Sequence, residues 1–250
     1  MAASSSEFHR ISGEYDKGRI SEDIAFWAQE ARKIGGLTES SLVVDMGCGT
    51  GNYGMGIRGI VGCTVVGFDP VPGMLRQAIE KDLGFPIVRA VSEKMPFRSN
   101  TFDMIYAAQM WHHVQGRQES ANECYRVTRR GGVKIVHTIS HSQLHEKVVF
   151  KFFPEIMENQ LRVYPSDDEF NDIFRKAGFT KVEIHPYKIE RYQSASELIE
   201  VAEKKLWSMF RPISDEGLKK GVDYLREYEK DHNGEPVRND ELITLFVASK

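Results

Sequence analysis

Residues 43–54 read VVDMGCGTGNYG and place a carboxylate, Asp45, two positions before a run of glycines at 47, 49, 51 and 54. Glycines at this spacing let a tight turn bring backbone N–H groups close to a bound nucleotide-like molecule at the start of a helix. A second carboxylate, Asp69, ends the next apolar run, VVGFD, 18 residues after Gly51. A carboxylate there accepts both hydroxyls of a ribose. Gly49, Gly51 and Gly54 also form a literal G-x-G-x-x-G, so a nicotinamide dinucleotide has to be weighed against other nucleosides. Asp45 weighs against it, because two like charges about 4 Å apart repel by roughly 4 kcal/mol at an effective dielectric of 20. A nucleoside with cationic groups and no phosphate, S-adenosylmethionine, suits an acidic strand end better.

Elements able to hold these residues are visible around them. Apolar runs at 42–46, 64–69, 86–91, 102–108, 133–139, 181–187 and 241–249 alternate with helix-like segments, which predicts an α/β domain with seven strands. Ile24, Trp27, Ala28 and Ala31 recur at helical spacing, as do Ala121, Cys124, Tyr125 and Thr128 ahead of Gly131 and Gly132. Ser166 with Glu169 and Ser194 with Glu197 read as capping boxes. The first opens a helix over 167–177; the second opens one carrying Leu198, Ile199, Ala202, Leu206 and Phe210. Leu218, Val222, Leu225 and Tyr228 mark a further amphipathic helix.

Composition narrows the classes. With 250 residues, 41% of them hydrophobic, and a net charge of −3, the chain can bury a large core and lacks the basic stripe of a nucleic-acid binder. Cys48, Cys63 and Cys124 show no C-x-x-C spacing, so neither a disulfide framework nor structural zinc is expected. The opening MAASSSEFHR lacks the apolar core of a signal peptide, and no apolar run reaches bilayer length. A cytoplasmic protein is the expectation.

The ordered segments VVDMGCGTG, VVGFDPVPGML, SEKMPFRSNTFDMIYAAQMWHHV and ECYRVTRRGGVKIV resemble the successive motifs of class I S-adenosylmethionine-dependent methyltransferases. Within that family they are similar to the small-molecule group that includes the ubiquinone-biosynthesis and trans-aconitate enzymes. The resemblance is strongest over residues 40–140. It implies a Rossmann-like seven-stranded sheet in the order 3-2-1-4-5-7-6, the seventh strand antiparallel, with helical lid insertions. It also implies that Asp45, Gly47, Cys48, Gly49 and Gly51 form the turn under the methionine part of the donor, that Asp69 holds the ribose, and that Pro70, Val71 and Met74 flank the adenine. An acidic residue common in the family at the end of the third strand is replaced by Val91, which leaves Ser92, Glu93 or backbone to read the adenine. Gln109, after the fourth strand, completes the donor contacts.

That loop, AAQMWHH, normally faces the reacting methyl. It differs from the N/D-P-P-Y of base-modifying amino methyltransferases, and no Pro-Cys dipeptide exists for attack on cytosine, so nucleic-acid bases are not the expected acceptor. His112 is the favoured proton acceptor and His113 its neighbour. Tyr15, Arg19, Trp111, His141, Trp207 and Phe210 are the candidate acceptor-binding residues. His137, His141 and His145 are spaced by four without supporting ligands, so no metal is expected. The organisation expected is one methyltransferase domain over 1–250, with an N-terminal lid helix region at 8–36 and substrate-cap insertions at 141–165 and 194–236. The expected function is methyl transfer to a small molecule. A nicotinamide-dependent oxidoreductase or a non-catalytic donor-binding module are the alternatives.

Overall fold

A computed structural model describes residues 21–250. The lid residues Tyr15 and Arg19 lie outside the described residues. In chain order the elements are α1 (Ser21–Gly35), β1 (Leu42–Met46), α2 (Asn52–Val61), β2 (Thr64–Asp69), α3 (Pro72–Glu80), β3 (Ile87–Arg89), β4 (Phe102–Ala108), α4 (Arg117–Val127) and β5 (Thr128–Thr138). There follow α5 (His141–Glu146), α6 (Val149–Phe152), α7 (Pro154–Val163), α8 (Asp167–Ala177), β6 (Lys181–Ile189), β7 (Tyr192–Gln193), α9 (Ala195–Glu203), α10 (Asp215–Asp231), β8 (Val237–Arg238) and β9 (Glu241–Ser249). Short 3₁₀ turns occupy Trp111–His113 and Ser208–Phe210.

Seven strands form the main sheet in the order β3-β2-β1-β4-β5-β9-β6. With β9 as the seventh strand of that sheet, this is the Rossmann-like order the motifs imply. β1 runs parallel to β2 and β4, β2 to β3, and β4 to β5. β9 runs the other way: the start of β5 meets its end, where Gly131 N–H donates to Lys250 O (2.9 Å) and Lys250 N–H to Gly132 O (3.1 Å). The sheet is therefore mixed.

Contacts divide the chain into two compact units, one running up to Thr138 with 168–185 and 245–250, the other made of 139–167 and 186–244. In the first, Val44, Met46, Ile105, Ala107 and Val136 from the sheet bury against Ala121 and Cys124 of α4 and Phe170 and Phe174 of α8. In the second, Phe150, Phe153, Leu198, Phe210, Val222 and Leu225 form a separate core. Among the described residues no helix is long and apolar enough to cross a membrane. Nor do three or more metal-binding side chains gather there.

Several element boundaries differ from the sequence reading. β3 covers three residues rather than 86–91, because Val91 leaves the ladder to bridge Lys94. β5 begins at Thr128 rather than 133, and α4 stops at Val127. Thr128 turns its hydroxyl back to Cys124 O (2.7 Å) while its backbone pairs with Phe102. β6 runs two residues past 187. The capping box of Ser194 and Glu197 is present, but α9 ends at Glu203 and Lys205 takes a left-handed φ of 49°, so Leu206 and Phe210 are not on that helix.

One core position breaks the apolar pattern. Lys134 of β5 is fully buried, its ammonium 3.4 Å from Met46 Sδ and 5.5 Å from the centre of the Trp111 ring. Burial lowers its pKa to about 8, against opposing help from Cys124 and Asp45. The unfolded chain holds this proton more tightly, so stability falls as pH drops from about 10.5 to 8 and stays reduced below that. Lys134→Met is expected to raise stability by up to about 3 kcal/mol at pH 7, with the gain shrinking toward pH 10. Urea denaturation at the two pH values checks this; an unchanged or lower midpoint at pH 7 overturns it.

Candidate donor site

At the end of β1 the chain turns through Gly47, Gly49 and Gly51, with φ of 67°, 55° and 87°. Those angles are in the left-handed region that glycine adopts without a Cβ penalty. Gly51 has a second reason, since a Cβ there would stand 2.5 Å from Leu83. At Gly49 a Cβ would meet nothing within 4 Å, so space opens above the turn. Cys48 N–H is tied to Phe68 O (2.9 Å), and burial pushes its thiol pKa strongly up, so it is a packed neutral thiol.

Both carboxylates are buried and fastened to this turn. Asp45 Oδ2 accepts Gly54 N–H at 2.9 Å. Asp69 accepts Gly49 N–H at 3.0 Å on Oδ2 and Val71 N–H at 2.8 Å on Oδ1. Burial raises the Asp45 pKa to about 7, offset partly by the Gly54 bond and helped upward by Asp69. Burial also raises the Asp69 pKa, against the two backbone bonds that hold it down.

Strand register shows what else shares their surface. Asp45 pairs with Gly67 of β2 and Tyr106 of β4, while Ala108 pairs with His137 of β5. Residues in register, or two apart on one strand, share a sheet face. Asp69, Asp45, Tyr106 and His137 therefore form one row across four strands, at or near their carboxyl ends. Open α/β sheets bind ligands at that edge. Tyr106 Oη and His137 Nδ1 are 2.8 Å apart and buried.

The other expected residues are distributed as follows. Met74 is 2% exposed, and Pro70 O accepts the Arg89 side chain at 3.3 Å. Ser92 Oγ donates to Glu93 Oε2 (3.0 Å), and Glu93 Oε1 accepts Gly116 N–H (3.2 Å), so this pair joins the loop after β3 to the start of α4. Gln109 leaves β4 with a φ of 51° while its N–H donates to His137 O (2.8 Å). A non-glycine residue held there stores strain, a frequent mark of a functional loop.

Four expectations change. Trp111 is fully buried, its ring 5.2 Å from Phe174 and 6.3 Å from Phe170, so it anchors the loop in the core rather than facing an acceptor. Phe210 is likewise core in the second unit, edge-on to Phe153 at 5.0 Å, with the half-buried Trp207 beside it at 6.0 Å. His141 Nε2 bonds to Tyr164 O (2.8 Å) and its N–H donates to Asp167, a tie between α5 and the approach to α8. His112 is buried with its ring 3.9 Å from that of His113. Burial first, then His113 and Arg117, lower its pKa well below the usual histidine value. It is neutral at pH 7 and a weak base.

Tyr106 and His137 were not picked out as a pair by sequence. By spacing His137 groups with His141 and His145; only the register of β4 against β5 brings it to Tyr106.

A family model described as a methyltransferase domain matches residues 44–136. The chain is 28% identical over 211 residues to a demethylmenaquinone methyltransferase of Anoxybacillus flavithermus, covering 72% of this chain and 88% of the relative. It is 26% identical over 207 residues to a ubiquinone/menaquinone biosynthesis C-methyltransferase of Haemophilus ducreyi, covering 70% and 79%. An Anabaena variabilis protein assigned to antibiotic biosynthesis as a methyltransferase superposes with a TM-score of 0.71 at 18% identity, over 90% of this chain and 96% of that one. A Haemonchus contortus phosphoethanolamine N-methyltransferase, solved with S-adenosylhomocysteine, gives 0.59 at 18% identity over 100% of this chain and 60% of that one. The glycine turn with its two buried carboxylates, the strand order and these likenesses agree: residues 44–136 match a methyltransferase domain, and the chain is similar in sequence and fold to S-adenosylmethionine-dependent methyltransferases.

Proposed function

We propose that the row headed by Asp69 and Asp45 holds the methyl donor and that the acceptor is a small aromatic molecule of the quinol type. The carrying observation is two buried, backbone-fastened carboxylates on one sheet face beside open space over Gly49. Asp69 keeps lone pairs for ribose hydroxyls after accepting its two N–H groups. Asp45 suits the cationic methionine end. Val71 and Met74 supply apolar contact for the adenine, and Ser92 and Glu93 its polar edge. When bound, the donor supplies a methyl made electrophilic by positive sulfur. The protein's part is then mainly to position the acceptor in line with it and exclude water. The quinol class rests on the names of the sequence relatives. A cytoplasmic setting and an acceptor other than nucleic acid rest on composition.

The test is calorimetry with S-adenosylmethionine, S-adenosylhomocysteine and NADH, followed by methyl-labelled donor with 1,4-naphthohydroquinones and with a metabolite extract. Binding of NADH in preference to the other two would overturn the donor; labelling only of other compounds would overturn the quinol.

Asp45 gives this reading a pH signature. Its folded pKa of about 7 lies above the unfolded value near 3.8. The folded state therefore takes up the proton between those values, and stability from this group falls as pH rises through that window, by about 4 kcal/mol in all. A cationic donor favours the ionised form, so binding near pH 6.5 is expected to expel a proton. The binding enthalpy should then vary with the buffer's ionisation enthalpy, and not in Asp45→Asn. Equal enthalpies in all buffers would separate Asp45 from the donor.

Acceptor selection is assigned to 141–165 and 194–236, because the donor turn is complete without them. Trp207→Ala should raise the acceptor KM about tenfold at unchanged donor affinity, the loss of one aromatic contact. A matching loss of donor affinity would count against the assignment.

A further inference from the structure

Resting on the reading that 194–236 helps to select the acceptor of methyl transfer, we propose that Arg211 receives an anionic group of that acceptor, a carboxylate or a phosphate. The observation behind it is an arginine set apart from its neighbours. The compact unit made of 139–167 and 186–244 carries five arginines, and four of them have polar or acidic partners. Arg162 bonds to Asn159, Arg191 pairs with Glu241 (3.5 Å), Arg226 with Glu203 (3.4 Å) and Asp223 (3.5 Å), and Arg238 with Glu190 (2.8 Å) and Asp240 (3.0 Å). Arg211 differs: its Nη1 is buried without a hydrogen-bond partner, and among the described residues no carboxylate pairs with its guanidinium. Taking a charged N–H out of water without a partner costs folding free energy. An apolar side chain of similar length would fill the same space without that cost. A bound anion gives the charge its partner.

The chain around Arg211 is well fixed. Phe210 and Ile213, on either side of it in sequence, are buried in the core of this unit, and Arg211 N–H donates to Ser208 O (3.2 Å). The side chain as a whole is only half-buried, so a ligand can reach it. A guanidinium is planar and presents paired N–H donors that match two oxygens of a carboxylate or a phosphate. Trp207 stands four residues earlier, at the start of the same 3₁₀ turn, half-buried and stacked beside Phe210 at 6.0 Å and 28°. One short turn thus carries a flat apolar ring and an unpaired cation. An aromatic acid suits both, with its ring on Trp207 and its anionic group on Arg211, whereas a neutral quinol leaves the charge unpartnered. The acceptor class narrows accordingly, from quinols in general to aromatic rings that bear an acid.

The experiment measures, by calorimetry in saturating S-adenosylhomocysteine, the affinities of 1-naphthol, 1-hydroxy-2-naphthoate and 1-naphthyl phosphate for wild type, Arg211→Gln, Arg211→Lys and Arg211→Met. Wild type should bind at least one of the two anions about tenfold to a hundredfold more tightly than 1-naphthol, and the tighter of them names the anionic group. Arg211→Gln and Arg211→Met should lose that preference while their affinity for 1-naphthol stays within about twofold of wild type. Arg211→Lys should keep part of it, having the charge without the fork. Melting curves show whether each variant is folded, and should Arg211→Gln melt early, Arg211→Met, which keeps an apolar side chain in the space, decides. A wild type that binds both anions no better than 1-naphthol, or a preference that survives in Arg211→Gln and Arg211→Met, overturns the proposal. With S-adenosylhomocysteine binding intact, that failure strikes Arg211 alone. A wild type that does not bind S-adenosylhomocysteine removes the methyltransferase reading instead, and the comparison of anion with 1-naphthol is then made in its absence.

Discussion

Asp69→Ala is expected to weaken S-adenosylmethionine binding about tenfold to a hundredfold, the loss of charge-assisted hydrogen bonds worth roughly 1.5–3 kcal/mol. Two effects combine. The ribose hydroxyls lose their acceptor, and the N–H groups of Gly49 and Val71 lose the oxygens that fix the turn and the entry to α3. Asp69→Asn separates them, because one carbonyl oxygen remains to hold a backbone N–H while the negative charge is gone. Its affinity should fall between wild type and alanine. Calorimetry with S-adenosylmethionine gives both numbers, and an alanine variant within twofold of wild type would remove Asp69 from the donor site.

Phe210→Ala is expected to destabilise the second unit by about 3–5 kcal/mol, the range for emptying a buried aromatic site. Phe210 is fully buried, edge-on to Phe153 and beside Trp207, with Leu198, Val222 and Leu225 in the same core. The short 3₁₀ turn that carries it has little backbone hydrogen bonding to hold its shape once the ring is gone. Urea denaturation followed by the near-ultraviolet signal of Trp207 should show the transition at lower urea. An unshifted transition with a raised acceptor KM would make Phe210 a substrate contact after all, as its position outside the sheet repeats first suggested.

The sequence by itself determined the parts that depend on local spacing. Alternating apolar runs located all seven strands of the main sheet, four of their ranges needing no change, because β-branched and apolar residues bounded by glycine have few other conformations to fill. The glycines at 47, 49 and 51 announced a turn with positive φ, and the structure puts all three there. Ser194 and Glu197 declared the start of α9, since a capping box is satisfied within four residues. Its end was not legible: Leu206 and Phe210 continue a helical period, and only the separate core they serve shows that the chain turned at Lys205.

Tertiary structure decided what side chains in the loop after β4 do. Trp111 and His112 looked like an open aromatic and a base; packing against α8 and desolvation made them an anchor and a weakly basic neutral ring. Burial also shifted Asp45 up and Lys134 down, each toward its neutral form; the direction follows from residue type, but the size depends on how much water the packing removes. Above all, the meeting of Tyr106 with His137 belongs to the register between two parallel strands 31 positions apart in the chain. A shift of one residue would turn either side chain to the opposite face, and no local spacing fixes that register; the packing of both faces does.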